Sequence, residues 1–150
     1  MASAEQTARI HRGIEQLQRL TELFGERRRQ LARRAELSES QWRVLEEIAT
    51  EHFIPSMFAR RRAQSAAAVS KVLRQLIDRD LVRVSVSADD GRQRQYELTA
   101  RGKETMGSLR AHRQRAIEAI WSDLPDADLE RFNAVSAELI ARVESYARKE

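Results

Sequence analysis

Apolar residues near the start of the chain recur every seven positions: Ile10, Leu17, Phe24 and Leu31, with Ile14 and Leu20 filling the same stripe. This spacing predicts one long helix over about residues 5–34, with an apolar edge suited to a partner helix. Arg27-Arg28-Arg29 and Arg33-Arg34 read as its solvated face. A second helix is announced by Leu37-Ser38-Glu39-Ser40-Gln41-Trp42. Ser38 and Gln41 have the spacing of a capping box, and Leu37 and Trp42 that of a hydrophobic staple. Val44, Leu45 and Ile48 continue the stripe, and the helix is expected to end near Glu51. Pro55 suits the first turn of a short third helix. Met57 and Phe58 should face inward, with Ala59 small enough for a close helix contact and Ala63 in the following turn. Ser65 caps a fourth helix starting at Ala66. Its stripe is Val69, Val72, Leu73, Leu76 and Ile77, the i, i+3, i+4 pattern of one buried face. The opposite face, with Ala66, Ala67, Ser70, Lys71 and Arg74, is small, polar and basic.

After Asp80 the period changes to two. Val82, Val84 and Val86 alternate with Arg83, Ser85 and Ser87; Arg92, Arg94, Tyr96 and Leu98 alternate with Gln93, Gln95 and Glu97. With Ala88-Asp89-Asp90-Gly91 as the turn, this is a β-hairpin with an arginine-rich tip. Thr99 is placed to cap a helix from about Ala100 to Trp121, with Met106, Leu109, Ala116, Ile117 and Ile120 on one side. Leu124-Pro125-Asp126 breaks it. A last helix carries Leu129, Phe132, Ser136, Leu139, Val143 and Tyr146, alternating three and four apart, again a coiled-coil-like seam. The fold class expected is mainly α with a small β-hairpin wing: a winged helix-turn-helix over residues 37–103, flanked by dimerisation helices over about 1–36 and 104–150. Together they form one domain.

Composition narrows the function. The 150 residues contain no cysteine, which excludes disulfides, thiolate metal sites, cysteine nucleophiles and thiol switches. The three histidines, His11, His52 and His112, are far apart in sequence, so no metal site is expected. No Gly-rich phosphate loop, nucleophile elbow or HExxH stretch occurs, so no enzyme and no cofactor is expected. No stretch is apolar enough for a membrane span, and the N-terminus lacks the marks of a signal peptide, so a cytoplasmic protein, on the nucleoid when bound to DNA, is expected.

Net charge is +4, a weak signal until it is located. Residues 56–103 hold 11 basic residues against 5 acids, a net +6, whereas 1–55 are neutral and 104–150 net −2. The excess falls on the helix-turn-helix and hairpin, which points to double-stranded DNA as a partner. The fourth helix is the candidate recognition helix, with Ser65, Ala67, Ser70, Lys71 and Arg74 turned away from the core. Arg92 and Arg94 at the hairpin are placed for an adjacent minor groove or for phosphates. The near-neutral ends supply the candidate dimer seams: Ile10 and Leu17 in the first helix, Phe132, Leu139 and Val143 in the last.

Three stretches then carry a resemblance. Leu37 to Leu45, Gln64 to Lys71 and Asp80-Leu81-Val82 resemble the MarR family of bacterial transcriptional regulators. The wing completes it, with Asp90-Gly91-Arg92 followed by Leu98-Thr99-Ala100-Arg101-Gly102, the family's D-x-R and L-T-x-x-G at the family's spacing. The resemblance implies a homodimer that binds a pseudo-palindromic operator, commonly as a repressor released by a small aromatic anion. By resemblance Arg92 is the wing-tip arginine and Asp90 orders the wing. Arg12, Trp42 and Arg43 are the candidate ligand contacts. Three features depart from the family pattern: Gly91 stands where many members have the first of two adjacent wing arginines, Asp80 stands where a glycine usually ends the recognition helix, and His52-Phe53-Ile54-Pro55-Ser56 is atypical. The rival readings are a nonspecific, nucleoid-type DNA binder and a winged-helix module that binds a protein partner.

Overall fold

The computed structural model describes residues 3–86, 89, 91 and 93–149. The chain orders as α1 (Ala4–Arg34), α2 (Glu39–Ile48), α3 (Pro55–Arg61), α4 (Ala66–Asp78), β1 (Val82–Val86), β2 (Arg94–Leu98), α5 (Ala100–Trp121) and α6 (Asp126–Ala147). It divides into two units, Met1–His112 and Arg113–Glu150, with α5 contributing to both. The first unit is a winged helix-turn-helix with α1 attached.

Local chemistry accounts for where its helices begin. Ser3 caps α1 by accepting from the Gln6 amide. Both halves of the α2 capping box are made: Gln41 N donates to Ser38 Oγ at 3.1 Å and Ser38 N to Gln41 Oε1 at 3.0 Å. Leu37 and Trp42, the two ends of the staple, are buried. Ser65 accepts from Ala68 N at 3.1 Å and so opens α4.

The helix ends follow a second rule. Leu37 N reaches Ala32 O and Glu36 N reaches Arg33 O, with Glu36 at φ 54°. Gln64 N pairs with Ala59 O and Ala63 N with Arg60 O, with Ala63 at φ 49°. Leu81 N pairs with Leu76 O and Asp80 N with Ile77 O, with Asp80 at φ 57°. Each is a Schellman motif, in which a left-handed residue lets the chain bond back onto the last helical turn. None of the three uses glycine. The turn at Asp80 forms with aspartate in the glycine place, because a short polar side chain tolerates that conformation.

The core is one cluster in this unit: Leu31 and Ala32 of α1; Leu37; Trp42, Val44, Leu45 and Ile48 of α2; Phe58 and Ala59; Val69, Leu73 and Leu76 of α4; Leu81 and Val82; and Met106 and Leu109 of α5. The stripes of α2 and α4 therefore face inward as their spacing implies. Four expectations need correction. Met57 is 52% exposed, because a seven-residue helix has one inward arc and Phe58 and Ala59 fill it. α2 ends at Ile48, where a turn leads to Glu51 at φ 63°. On β1 only Val82 is buried; Val84 and Val86 are exposed, and opposite Val84 it is the Tyr96 ring that packs partly buried against the core. Arg28 is not simply solvated, since its guanidinium stacks on Trp42.

The second unit holds the end of α5 and α6. Trp121 and Phe132 meet across the turn between them, ring centroids 5.9 Å apart. No described residue of this unit is buried. Ile117, Ile120, Phe132, Val135, Leu139, Ile140, Val143 and Tyr146 all stay exposed, as do Ile10, Ile14, Leu17, Leu20 and Phe24 of α1 in the first unit. Of the α1 heptad only Leu31 is buried, and the α5 positions beyond Leu109 join no core. Among the described residues no helix is long and apolar enough to cross a membrane.

Candidate nucleic-acid interface

The corner between α3 and α4 is built from small residues. Ala59 is buried against α4, and Ala63 takes the left-handed turn that swings the chain into Gln64-Ser65. Val69 holds α4 down onto the core with 1% exposure. The helix therefore presents Ala66, Ala67, Ser70, Lys71 and Arg74 outward, all exposed. Nothing large stands on that strip near the N-terminus, so another surface can approach the backbone closely. Arg60 and Arg62 are exposed on the adjoining α3 and its cap, while Arg61 pairs with Glu47 of α2.

The C-terminal end of α4 is tied to the α1–α2 corner. Arg79 Nη1 donates to Glu36 O at 2.6 Å and to Gln41 Oε1 at 3.3 Å, and Gln41 Nε2 donates to Gln75 Oε1 at 3.1 Å. Gln41 thus serves the α2 cap and the α4 anchor together. Sequence reading found its first role only.

The hairpin pairs Val82 with Leu98, Val84 with Tyr96 and Val86 with Arg94 in antiparallel register. Arg83 lies opposite Glu97, and its Nε and Nη2 both donate to Glu97 Oε2, at 2.9 and 2.7 Å. The L-T-x-x-G stretch acquires a physical reason. Thr99 Oγ1 donates to Asp80 O at 2.6 Å and accepts from Gly102 N at 3.0 Å, joining the end of α4, the hairpin and the start of α5. Gly102 has no room for a side chain: a Cβ there would stand 2.1 Å from Leu81 O. Arg94 is exposed at the far end of β2. Arg92 and Asp90, the wing residues singled out above, lie outside the described residues.

Residues 29–93 match the family model described as MarR family. That span runs from the end of α1 through the helix-turn-helix into the hairpin. It makes this part of the chain similar to the MarR family. Solved structures agree in fold. A MarR family transcription regulator superposes with a TM-score of 0.84 at 14% identity, over 97% of each chain. Staphylococcus aureus MarR in complex with salicylate and kanamycin gives 0.75 at 19% identity, over 97% of this chain and 99% of its own. The S. aureus MepR–DNA complex gives 0.66 at 15% identity, over 85% and 93%. Among curated proteins no match to the chain is found. The match over the helix-turn-helix and hairpin supports the coarse function of a DNA-binding transcriptional regulator.

An open cleft of about 1130 Å³ lies within the first unit, between the α2–α3 loop, the hairpin and α5. Phe53 stands at its aromatic side, edge-on to Phe58 and to Tyr96 at 5.7 Å each. Arg94, Lys103 and Arg110 supply positive charge, and His52 to Ser56, the atypical segment, forms one edge. Its lining includes none of the three residues expected to contact a ligand. Arg12 is exposed on α1, Arg43 is half-buried on α2, and Trp42 is 3% exposed beneath Arg28. Sequence reading missed the cleft because its walls come from three distant segments. The one signal was the departure at residues 52–56.

Proposed function

We propose that the chain is a homodimeric, ligand-responsive repressor that binds a pseudo-palindromic operator, with α4 as the recognition helix. The observation that carries this reading is the outward face of α4: small near its N-terminus, basic at Lys71 and Arg74, and set in a winged-helix frame. Ser65, Ala67 and Ser70 stand where base edges would meet the helix, and Lys71 and Arg74 where guanine or phosphate would. Arg92 and Arg94 of the wing reach the adjoining groove or backbone, with Asp90 ordering the wing. The apolar strips of α1 and α6, including Ile10, Leu17, Phe132, Leu139 and Val143, are covered by the same strips of a second copy. A two-fold axis then sets two α4 helices against two half-sites.

The effector is a small aromatic anion held in the cleft beside Phe53 and Tyr96. A ligand that prefers one spacing of the two recognition helices shifts the population towards it and so changes operator affinity. That S. aureus MarR was solved with salicylate, and MepR with DNA, supports both halves of the reading by analogy. Operator titration of wild type and Arg92→Ala, with and without added salicylate, is the test. Arg92→Ala should bind operator at least tenfold more weakly with an unchanged circular dichroism spectrum, and salicylate should loosen wild-type binding. Normal affinity in the variant would remove the wing assignment, and indifference to every aromatic acid tried would remove the effector.

A further inference from the structure

Two glycines of α5 are treated in opposite ways by the packing. Gly102 is forced, since a side chain would strike the Leu81 carbonyl. Gly107 is not: a Cβ built there meets nothing within 4 Å. Glycine in a helix interior is less stable than alanine, so contacts within the chain give no reason for its presence. Gly107 does, however, border the cleft, and so do Lys103 and Arg110. Positions 103, 107 and 110 are spaced i, i+4 and i+7, which puts them on one strip of the helix. Bare backbone therefore lies between two cations, across from the edge-to-face pair Phe53 and Tyr96. Of the acids on the cleft wall, Glu97 is engaged by Arg83 and Glu51 sits on the loop opposite α5. Gly13 of α1 is equally open and does not line this cleft, so openness alone is not the ground.

We propose that the cleft takes a flat aromatic ring carrying an anionic group at each end, that Lys103 and Arg110 hold those groups, and that Gly107 leaves the ring's place against α5 clear. The inference rests on the effector reading above and gives it a ligand class and a size-determining residue. The probes are benzene-1,4-dicarboxylate and benzoate, titrated calorimetrically into the full chain. Wild type should bind the dicarboxylate roughly tenfold or more tightly than benzoate, as one further charge-assisted contact implies. Gly107→Ala should raise the melting temperature by roughly 2–4 °C through helix propensity. The same variant should bind the dicarboxylate roughly tenfold more weakly through overpacking. Its sedimentation should not change. A gain in stability joined to a loss of binding is not the signature of a merely structural glycine. Equal binding of the two probes, or wild-type affinity in Gly107→Ala, would overturn the proposal and leave a ligand-responsive regulator standing. A changed sedimentation profile would assign Gly107 to contact between copies and also overturn it. Binding of neither probe, nor of salicylate, by wild type would remove the effector reading as well.

Discussion

The guanidinium carbon of Arg28 lies 4.1 Å from the centroid of the Trp42 ring, and Arg28 Nη2 donates to Glu46 at 3.1 Å. One side chain of α1 is thus clamped to two residues of α2. The clamp covers the outer face of Trp42 while the core covers the rest. Since α1 carries an apolar strip proposed to pair two copies, and α2 carries Gln41, which holds α4, the clamp lies on a continuous path from dimer seam to recognition helix. Arg28→Ala should lower stability by about 1–2 kcal/mol, combining a partly desolvated cation–π contact with a half-exposed ion pair. Arg28→Lys should recover part of it, because an ammonium replaces the charge but not the flat stacking surface. Urea unfolding of the three proteins checks this; identical midpoints would mean that the clamp contributes nothing.

Gly102→Ala should be among the most damaging substitutions in the chain. The new methyl would overlap Leu81 O, whose backbone is held by Thr99 N and by the end of α4. Relief requires moving α5 off the hairpin, so a loss of about 3 kcal/mol or more is expected. Thermal unfolding reads it directly, and a variant as stable as wild type would mean that α5 does not approach Leu81 so closely.

Ala63→Gly should have the opposite sign. Ala63 sits at φ 49° with no polar group to compensate the left-handed backbone, and glycine adopts that region freely. A gain of about 1 kcal/mol is expected, reduced by the greater freedom of glycine in the unfolded chain. The same denaturation assay decides it, and a loss of stability would show that the corner between α3 and α4 is not strained.

These backbone positions also explain what the sequence hid. Helix starts were legible because each used a recognisable side chain: Ser38 with Gln41, Pro55, Ser65. Helix ends were less so. Glu36, Glu51, Ala63 and Asp80 hold positive φ, while none of the described glycines does, so the usual glycine punctuation is absent. That is why α2 reads three residues too long. The stripes of α2 and α4 carried enough period to fix their faces, whereas the alternation of β1 did not foretell the exposure of Val84 and Val86. Met57 misled because three apolar residues stand in line at Met57-Phe58-Ala59 and a short helix cannot bury all of them. The α4 face of the candidate interface was visible as an absence of large side chains. The cleft was not, since no local pattern connects Phe53, Tyr96 and Arg110.

Leu139→Asp should separate the proposed dimer. Leu139 is 43% exposed on α6 among Phe132, Val135, Ile140 and Val143, a strip that keeps its apolar surface in contact with water when the chain stands alone. Burying such a strip is the main favourable term in association, and an unpaired carboxylate at its middle opposes burial. Sedimentation velocity should show wild type at twice the chain mass and the variant at 17.3 kDa. An unchanged profile would mean that the strip of α6 pairs with something else.

The central claim is that α4 reads sequence rather than merely meeting phosphate. Both a regulator and a nonspecific binder would lose affinity steeply with salt, so salt dependence alone does not separate them. The direct measurement is the ratio of affinities, at one physiological salt concentration, for the palindrome selected by the protein from a random DNA pool and for a scrambled duplex of the same composition. A ratio of about 10³ or more, falling in Lys71→Ala or Arg74→Ala, is the predicted result. Failure of any palindrome to emerge, with a ratio near one, would contradict the account.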